Sequence, residues 1–228
     1  MRPRAAYALS LGGTTVYLSH DDYEIDWASL AFVAVDEAYA GEYEGTVVVD
    51  IGAHKGYYGA YALLRGARAV VSYEPETANF ALLERAAAGV RARGGAWHTM
   101  RCAVGAEHGK AELHIMGASW GHALHPPEAF AEYEVGVATV RVEALRNVLD
   151  NAIEVALGAP VIVKVNIEGE ECPMLLGTSP AAFEAIAEVY VETHPWADCS
   201  ADELAQHMGA AGLRRGASAH PAVLRLTR

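Results

Sequence analysis

Thr46-Val47-Val48-Val49 is a run of strand formers that stops at an acid, Asp50, and passes through Ile51-Gly52-Ala53-His54-Lys55-Gly56 into helix-forming sequence. A second apolar run, Ala69-Val70-Val71-Ser72-Tyr73, stops at Glu74-Pro75, so the second acid falls 24 positions beyond the first. Uninterrupted β-branched runs suit strands buried on both faces, and strand–turn–helix–strand is the unit of a parallel sheet. In such open α/β sheets, ligands bind outside the carboxyl ends of the strands. Both acids stand at those ends.

Gly52 permits a sharp turn with close backbone approach to a ligand, and Gly56 lets the next helix pack tightly on the sheet. The helix then offers free N–H groups to a negatively charged ligand group. Glu74 is placed to take both hydroxyls of a ribose. The dinucleotide run G-x-G-x-x-G is absent here, and three residues separate Gly52 from Gly56. An acid inside the turn sits badly beside a pyrophosphate but well beside the ammonium of a methionine moiety. The turn therefore favours S-adenosylmethionine (AdoMet) over NAD.

The chain has 228 residues, 52% of them hydrophobic, enough for one sizeable core. Its net charge of −12, with no offsetting Lys/Arg cluster, argues against nucleic acid and for a small-molecule acceptor. Cys102, Cys172 and Cys199 are too few and scattered for a disulfide framework or zinc cluster. Cys102 reads as a small buried hydrophobe. Met1 to Ala6 has no apolar core of a signal peptide, and no stretch approaches membrane-spanning length, so a reducing, cytoplasmic location away from membranes is expected.

Along the chain, a short strand is expected at 14–20 and a helix from Asp26 to Ala40. After a polar break, strand 46–50, helix 57–65, strand 69–73, helix 76–93 and a strand from Trp97 to Val104 follow. Lys110 to Met116 and Val135 to Val142 alternate like antiparallel strands around a loop rich in Gly, Pro, His and Trp. Helix 143–157, strand 160–166, helices 170–177 and 180–186, and strand 188–193 resume the alternation. Ser200 to Glu203 fits a capping box, and 213–216 with 222–227 supply a final hairpin. The pattern predicts a Rossmann-like α/β fold: a mostly parallel sheet, helices on both faces, and a β-hairpin/loop insertion around 105–142. Residues 1–45 form a strand/helix cap or lid, and 46–228 the cofactor-binding domain, in one globular unit.

These residues resemble the FkbM family of AdoMet-dependent methyltransferases over positions 46–195. The likeness rests on Val49 to Gly56, on Tyr73-Glu74-Pro75 with Asn79-Phe80 and Leu82-Leu83, on Ala103-Val104-Gly105, and on Lys164 to Glu171. It implies a class I methyltransferase fold and, most commonly, O-methylation of a sugar, polyketide or other natural-product hydroxyl. Family members usually carry Asn where this chain has His54, a change that alters one polar contact beside the cofactor. They usually carry Asp where it has Asn166. Asn is no base and a weaker ligand for a hard cation, so the involvement of a divalent metal such as Mg²⁺ stays open.

The cofactor set is Asp50 for the methionine ammonium, Gly52 and Gly56 for backbone approach, Glu74 for ribose, and Ala103 and Val104 beside the adenine. His54, Tyr57 and Pro75 flank it. Proton removal falls first to Glu168 and second to His194; Glu168 reads equally as a carboxylate favoured at a helix amino end. Lys164, a charge within an apolar strand, pairs with Glu168 or Glu192, or merely packs its stem. Trp120, His122, His125 and Asn166 are candidate substrate contacts. Transfer to oxygen leads, with N-methylation of a small amine as the alternative. An NAD(P)-dependent oxidoreductase and a catalytically silent AdoMet-binding partner subunit are readings of other classes. Trp27 and the amino-terminal segment could line a homodimer contact or a lid.

Overall fold

The computed structural model describes residues 6–11 and 14–228; the reading of Met1 to Ala5 lies outside them. Seven strands form the central sheet, in the order β11 (Arg214–Arg215), β12 (Val223–Thr227), β10 (Glu188–Glu192), β9 (Val161–Val165), β3 (Val47–Ile51), β4 (Ala69–Tyr73), β5 (Trp97–Met100). The five strands from β10 to β5 are parallel, and β12 and β11 close the edge antiparallel. Every residue of β3 and β9 is buried, as strands covered on both faces require.

Helices cover both faces. On one, α4 (Leu145–Ala156), α5 (Glu171–Gly177) and α6 (Ala201–Gly209) pack Leu145, Leu149, Met174, Leu204 and Met208 on Val47, Val49, Val163 and Val189. On the other, α1 (Tyr23–Ala34), α2 (Tyr57–Leu64) and α3 (Thr77–Arg91), with the hairpin β1 (Ala6–Leu11)–β2 (Thr14–Ser19), bury Leu30, Tyr58, Leu83 and Leu18 against Val48, Val70 and Trp97. From β3 the chain proceeds to β4 and β5 on one side, then returns to β9 and β10 on the other. That reversal opens a crevice between the ends of β3 and β9.

Four expectations need correction. The helix placed at 26–40 is Tyr23–Ala34: Asp22 caps it by accepting from the Ile25 N–H (3.2 Å), and the chain turns at Glu37, at positive φ. No Gly or Pro before Gly41 signals that stop. The strand expected from Trp97 to Val104 is two strands. Arg101 is exposed and breaks the alternation, after which β6 (Ala103–Gly105) joins β8 (Glu134–Ala144) and β7 (Gly109–Met116) in a separate three-stranded sheet. The helix at 180–186 is a single 3₁₀ turn, Pro180–Phe183. Cys172 and Cys199 form a disulfide across 27 positions, which their wide spacing hid; Cys102 is free and buried. The capping box at Ser200 and Glu203 and the terminal hairpin are present. No helix among the described residues is long and apolar enough to cross a membrane.

Candidate active site

Gly52 follows β3 at φ +75°, where a Cβ would lie 1.7 Å from the Asn166 carbonyl oxygen. Only glycine lets the ends of β3 and β9 approach so closely, joined by the Asn166 N–H donating to the Ile51 carbonyl (3.1 Å). His54 follows at φ +51°, a region in which Asn, Asp and His are the side chains most often accommodated. That conformation turns the His54 N–H onto Glu74 Oε2 (2.8 Å), while the Glu76 N–H donates to Oε1 (2.9 Å). Burial pushes the Glu74 carboxyl up to about 8, against the opposing pull of those two N–H groups. Gly56, at φ +95°, opens α2 where a Cβ would meet Leu83 and Trp97, so it serves helix packing.

A cavity of about 290 Å³ fills the crevice. One end is walled by Tyr73, Glu74, Pro75, Cys102, Ala103 and Val104, the other by Lys164, Asn166, Glu168 and Glu192, with Gly52, His54 and Tyr57 between. Tyr57 Oη and Asn166 Oδ1 are buried without partners. Asn166 Nδ2 and Tyr39 Oη both donate to Glu192 Oε2 (2.8 and 2.9 Å). Phe32 and Ile25 of α1 also face the cavity.

Asp50 is elsewhere. It is fully buried behind the turn, absent from the cavity wall, with Lys164 Nζ 3.2 Å from Oδ1 and Ser72 Oγ 3.4 Å from Oδ2. Strand register explains this, because Asp50 and Lys164 are Cα partners on β3 and β9. Lys164 also donates to the Gly52 carbonyl (2.7 Å). The pairing expected for Lys164 exists, but with Asp50 and the turn instead of Glu168 or Glu192.

Glu168 lies beyond β9 at φ +57°, a strained position for a non-glycine residue and one that recurs at functional sites. Its Oε2 is 3.6 Å from His194 Nε2, and His194 Nδ1 is 3.4 Å from Glu171 Oε1. Burial opposes charge on His194, but the two carboxylates outweigh it and push the imidazole up to about 10. Burial raises the Glu168 carboxyl, and His194 partly offsets this. Glu168 faces the cavity; His194 stands behind it, outside the wall.

Trp120 and His122 line the cavity, whereas His125 is exposed and pairs with Glu170 (2.7 Å). His122 Nδ1 accepts from the Met116 N–H (3.0 Å), and burial lowers its pKa; burial and the nearby Lys55 lower that of His54 still further. Several participants escaped the sequence reading. Lys55, fully buried, donates to Asp21 and Asp26 (2.6 Å each) and to Ser119 Oγ (3.1 Å), and Ser119 Oγ is 3.0 Å from His54 Nε2. Asn79 Nδ2 donates to the Ser119 carbonyl (2.8 Å). The amino-terminal segment and the mid-chain loop are thus fastened to the glycine turn. A lysine between two glycines was the available signal. Among the described residues no three His, Cys, Asp or Glu side chains gather as a metal-holding group.

A seven-stranded, mostly parallel sheet with an acid-bearing crevice at its reversal point is the fold of class I AdoMet-dependent methyltransferases. The chain belongs to the FkbM methyltransferase family: the model of the methyltransferase FkbM domain matches residues 50–215. Among solved structures it is similar to a methyltransferase FkbM from Methylobacillus flagellatus KT (15% identity, 86% of this chain and 47% of that one, TM-score 0.53). It therefore spans about half of that protein, with which it shares the fold. It is also similar to magnesium protoporphyrin IX methyltransferase (ChlM) from Synechocystis PCC 6803, solved with bound SAM (14% identity, 90% of this chain and 78% of that one, TM-score 0.44). No curated protein sequence matches it.

Proposed function

We propose that this chain transfers the methyl group of AdoMet to a hydroxyl of a small molecule, with Glu168 as the proton acceptor. The observation that carries the reading is one cavity that unites Glu74, the glycine turn and Glu168. Its donor and acceptor set suits AdoMet. Glu74, already oriented by two backbone N–H groups, keeps lone pairs for the ribose hydroxyls. The apolar wall of Ala103, Val104 and Cys102 suits an adenine, and the unpartnered Asn166 Oδ1 suits an ammonium, the role expected of Asp50. AdoMet supplies an activated methyl group: its C–S bond breaks with the electron pair left on sulfur as the acceptor oxygen bonds to carbon.

The residues of this chain do the rest. They align the acceptor, exclude water and remove one proton. Glu168 is a carboxylate at the cavity wall, and a base whose pKa is raised toward working pH accepts a proton more effectively. His194, held as imidazolium, keeps that carboxylate in place. Residues before position 45 act as a cap, because α1 supplies Ile25 and Phe32 to the wall. The natural-product or sugar hydroxyl remains the expected acceptor class.

The test is transfer of label from methyl-labelled AdoMet to a panel of neutral hydroxyl compounds and matched amines. Label in the hydroxyl arm, reduced about 10²- to 10⁴-fold by Glu168→Gln with S-adenosylhomocysteine binding retained, is the expected result. Transfer to the amines alone would overturn the assignment to oxygen.

A further inference from the structure

A second cavity, of about 540 Å³, adjoins the first, and Trp120 and Glu168 form part of both walls. It lies between the β7–β8 hairpin, the loop that follows β7, and the segment after His194. Its remaining walls include Met116, Pro126, Phe130, Tyr133, Val135 and Trp196. Phe130 and Trp196 meet edge to face, ring centroids 5.2 Å apart. The disulfide at Cys199 ties the Trp196 segment to α5, so this wall is anchored. Tyr133, Val135 and Trp120 are 58%, 71% and 51% exposed, which is unusual for large apolar side chains gathered in one place.

We propose that this second cavity binds the methyl acceptor, and that the acceptor is an uncharged, largely apolar or aromatic compound bearing a hydroxyl. The inference rests on the methyltransferase reading and narrows its substrate. Two arguments carry it. First, a pocket of this size walled by aromatic and aliphatic side chains is what small apolar ligands occupy. Second, the described residues lining it include no Lys, Arg or His, and its only charged side chains are Glu132 and Glu168. A phosphate, sugar nucleotide or carboxylate placed there would find no cation among the lining side chains and would lie against Glu132 and against Glu168, whose own partner His194 stands outside this wall. A neutral hydroxyl compound meets no such penalty. Its hydroxyl, at the junction of the cavities, meets Glu168, the one carboxylate shared with the cofactor side.

The test is calorimetric titration of the whole chain, with and without S-adenosylhomocysteine, using 1-naphthol, 4-phenylphenol, 1-naphthyl phosphate and uridine diphosphate glucose. Two variants accompany the wild type: Val135→Arg, at an exposed position, and Phe130→Ala; neither residue lines the first cavity. The expected result is saturable binding of at least one neutral phenol, about ten-fold or more tighter than either anion, and weakened about ten-fold by Val135→Arg. The affinity for S-adenosylhomocysteine stays unchanged in both variants. Binding of the anions as tightly as the phenols would overturn the proposal. So would an absence of phenol binding, or phenol binding indifferent to both variants. Failure to bind S-adenosylhomocysteine is a separate outcome that strikes the methyltransferase reading, since the phenol titration without it is read independently.

Discussion

Replacing Lys164, on β9 between β3 and β10, with methionine keeps an unbranched side chain of similar length but removes the cation facing Asp50. Both groups are buried, 3.2 Å apart, and the Lys164 head also holds the Gly52 carbonyl. At an effective dielectric constant of about 20, unit charges at that distance attract by about 5 kcal/mol. Removing one member of a buried pair costs about 3–5 kcal/mol, because the other is left buried and unpaired. Lys164→Met should therefore lose about 3–5 kcal/mol in urea unfolding at pH 7, followed by tryptophan fluorescence. Asp50→Asn with Lys164→Met removes the orphaned charge and should regain about half of that loss or more, a coupling that a double-mutant cycle isolates. A single variant within about 1 kcal/mol of wild type, or a double variant that loses the sum of the two, would refute the pairing. The cycle also decides what Asp50 does. As a buried partner it affects stability first; as a direct ligand of the methionine ammonium it would affect cofactor affinity with stability nearly unchanged.

Three further outcomes follow from the geometry. Glu74→Gln should weaken S-adenosylhomocysteine binding about 10-fold by calorimetry, since both carboxyl oxygens accept backbone N–H groups and the amide would turn an NH2 donor toward one of them or toward the ribose hydroxyls. His194 titrates near 6.5 when exposed and is raised to about 10 in the fold, so its contribution to stability is complete below pH 6.5 and fades as pH rises through about 10. Urea stability should thus fall across that window and fall less in His194→Asn; identical slopes would remove the charged-histidine account. Thiol titration of the unfolded, unreduced protein should count one group per chain, Cys102, and three only after reduction.

The strands and their acids were legible because burial on both faces writes itself as an unbroken apolar run, and the glycines because two positions tolerate no Cβ. Sequence spacing placed Glu74 and Glu168 at strand ends, where the cavity lies. It could not place Asp50, because the direction of a side chain depends on which strand pairs alongside, and β9 arrives more than a hundred residues later. Lys55, Ser119 and Asn79 were hidden for the same reason: each acts across elements far apart in the chain. The break at Arg101 was missed because two residues outside a strand leave the alternation intact on either side. The disulfide joins a helix start to a loop, and no local pattern marks either end.

The cofactor assignment is tested by calorimetric titration of the wild-type chain and of Glu74→Ala with AdoMet, S-adenosylhomocysteine and NAD. The expected result is one-to-one binding of both adenosyl compounds, loss of that binding in Glu74→Ala, and none for NAD. Binding of NAD in place of the adenosyl compounds, or adenosyl binding indifferent to Glu74, would contradict it.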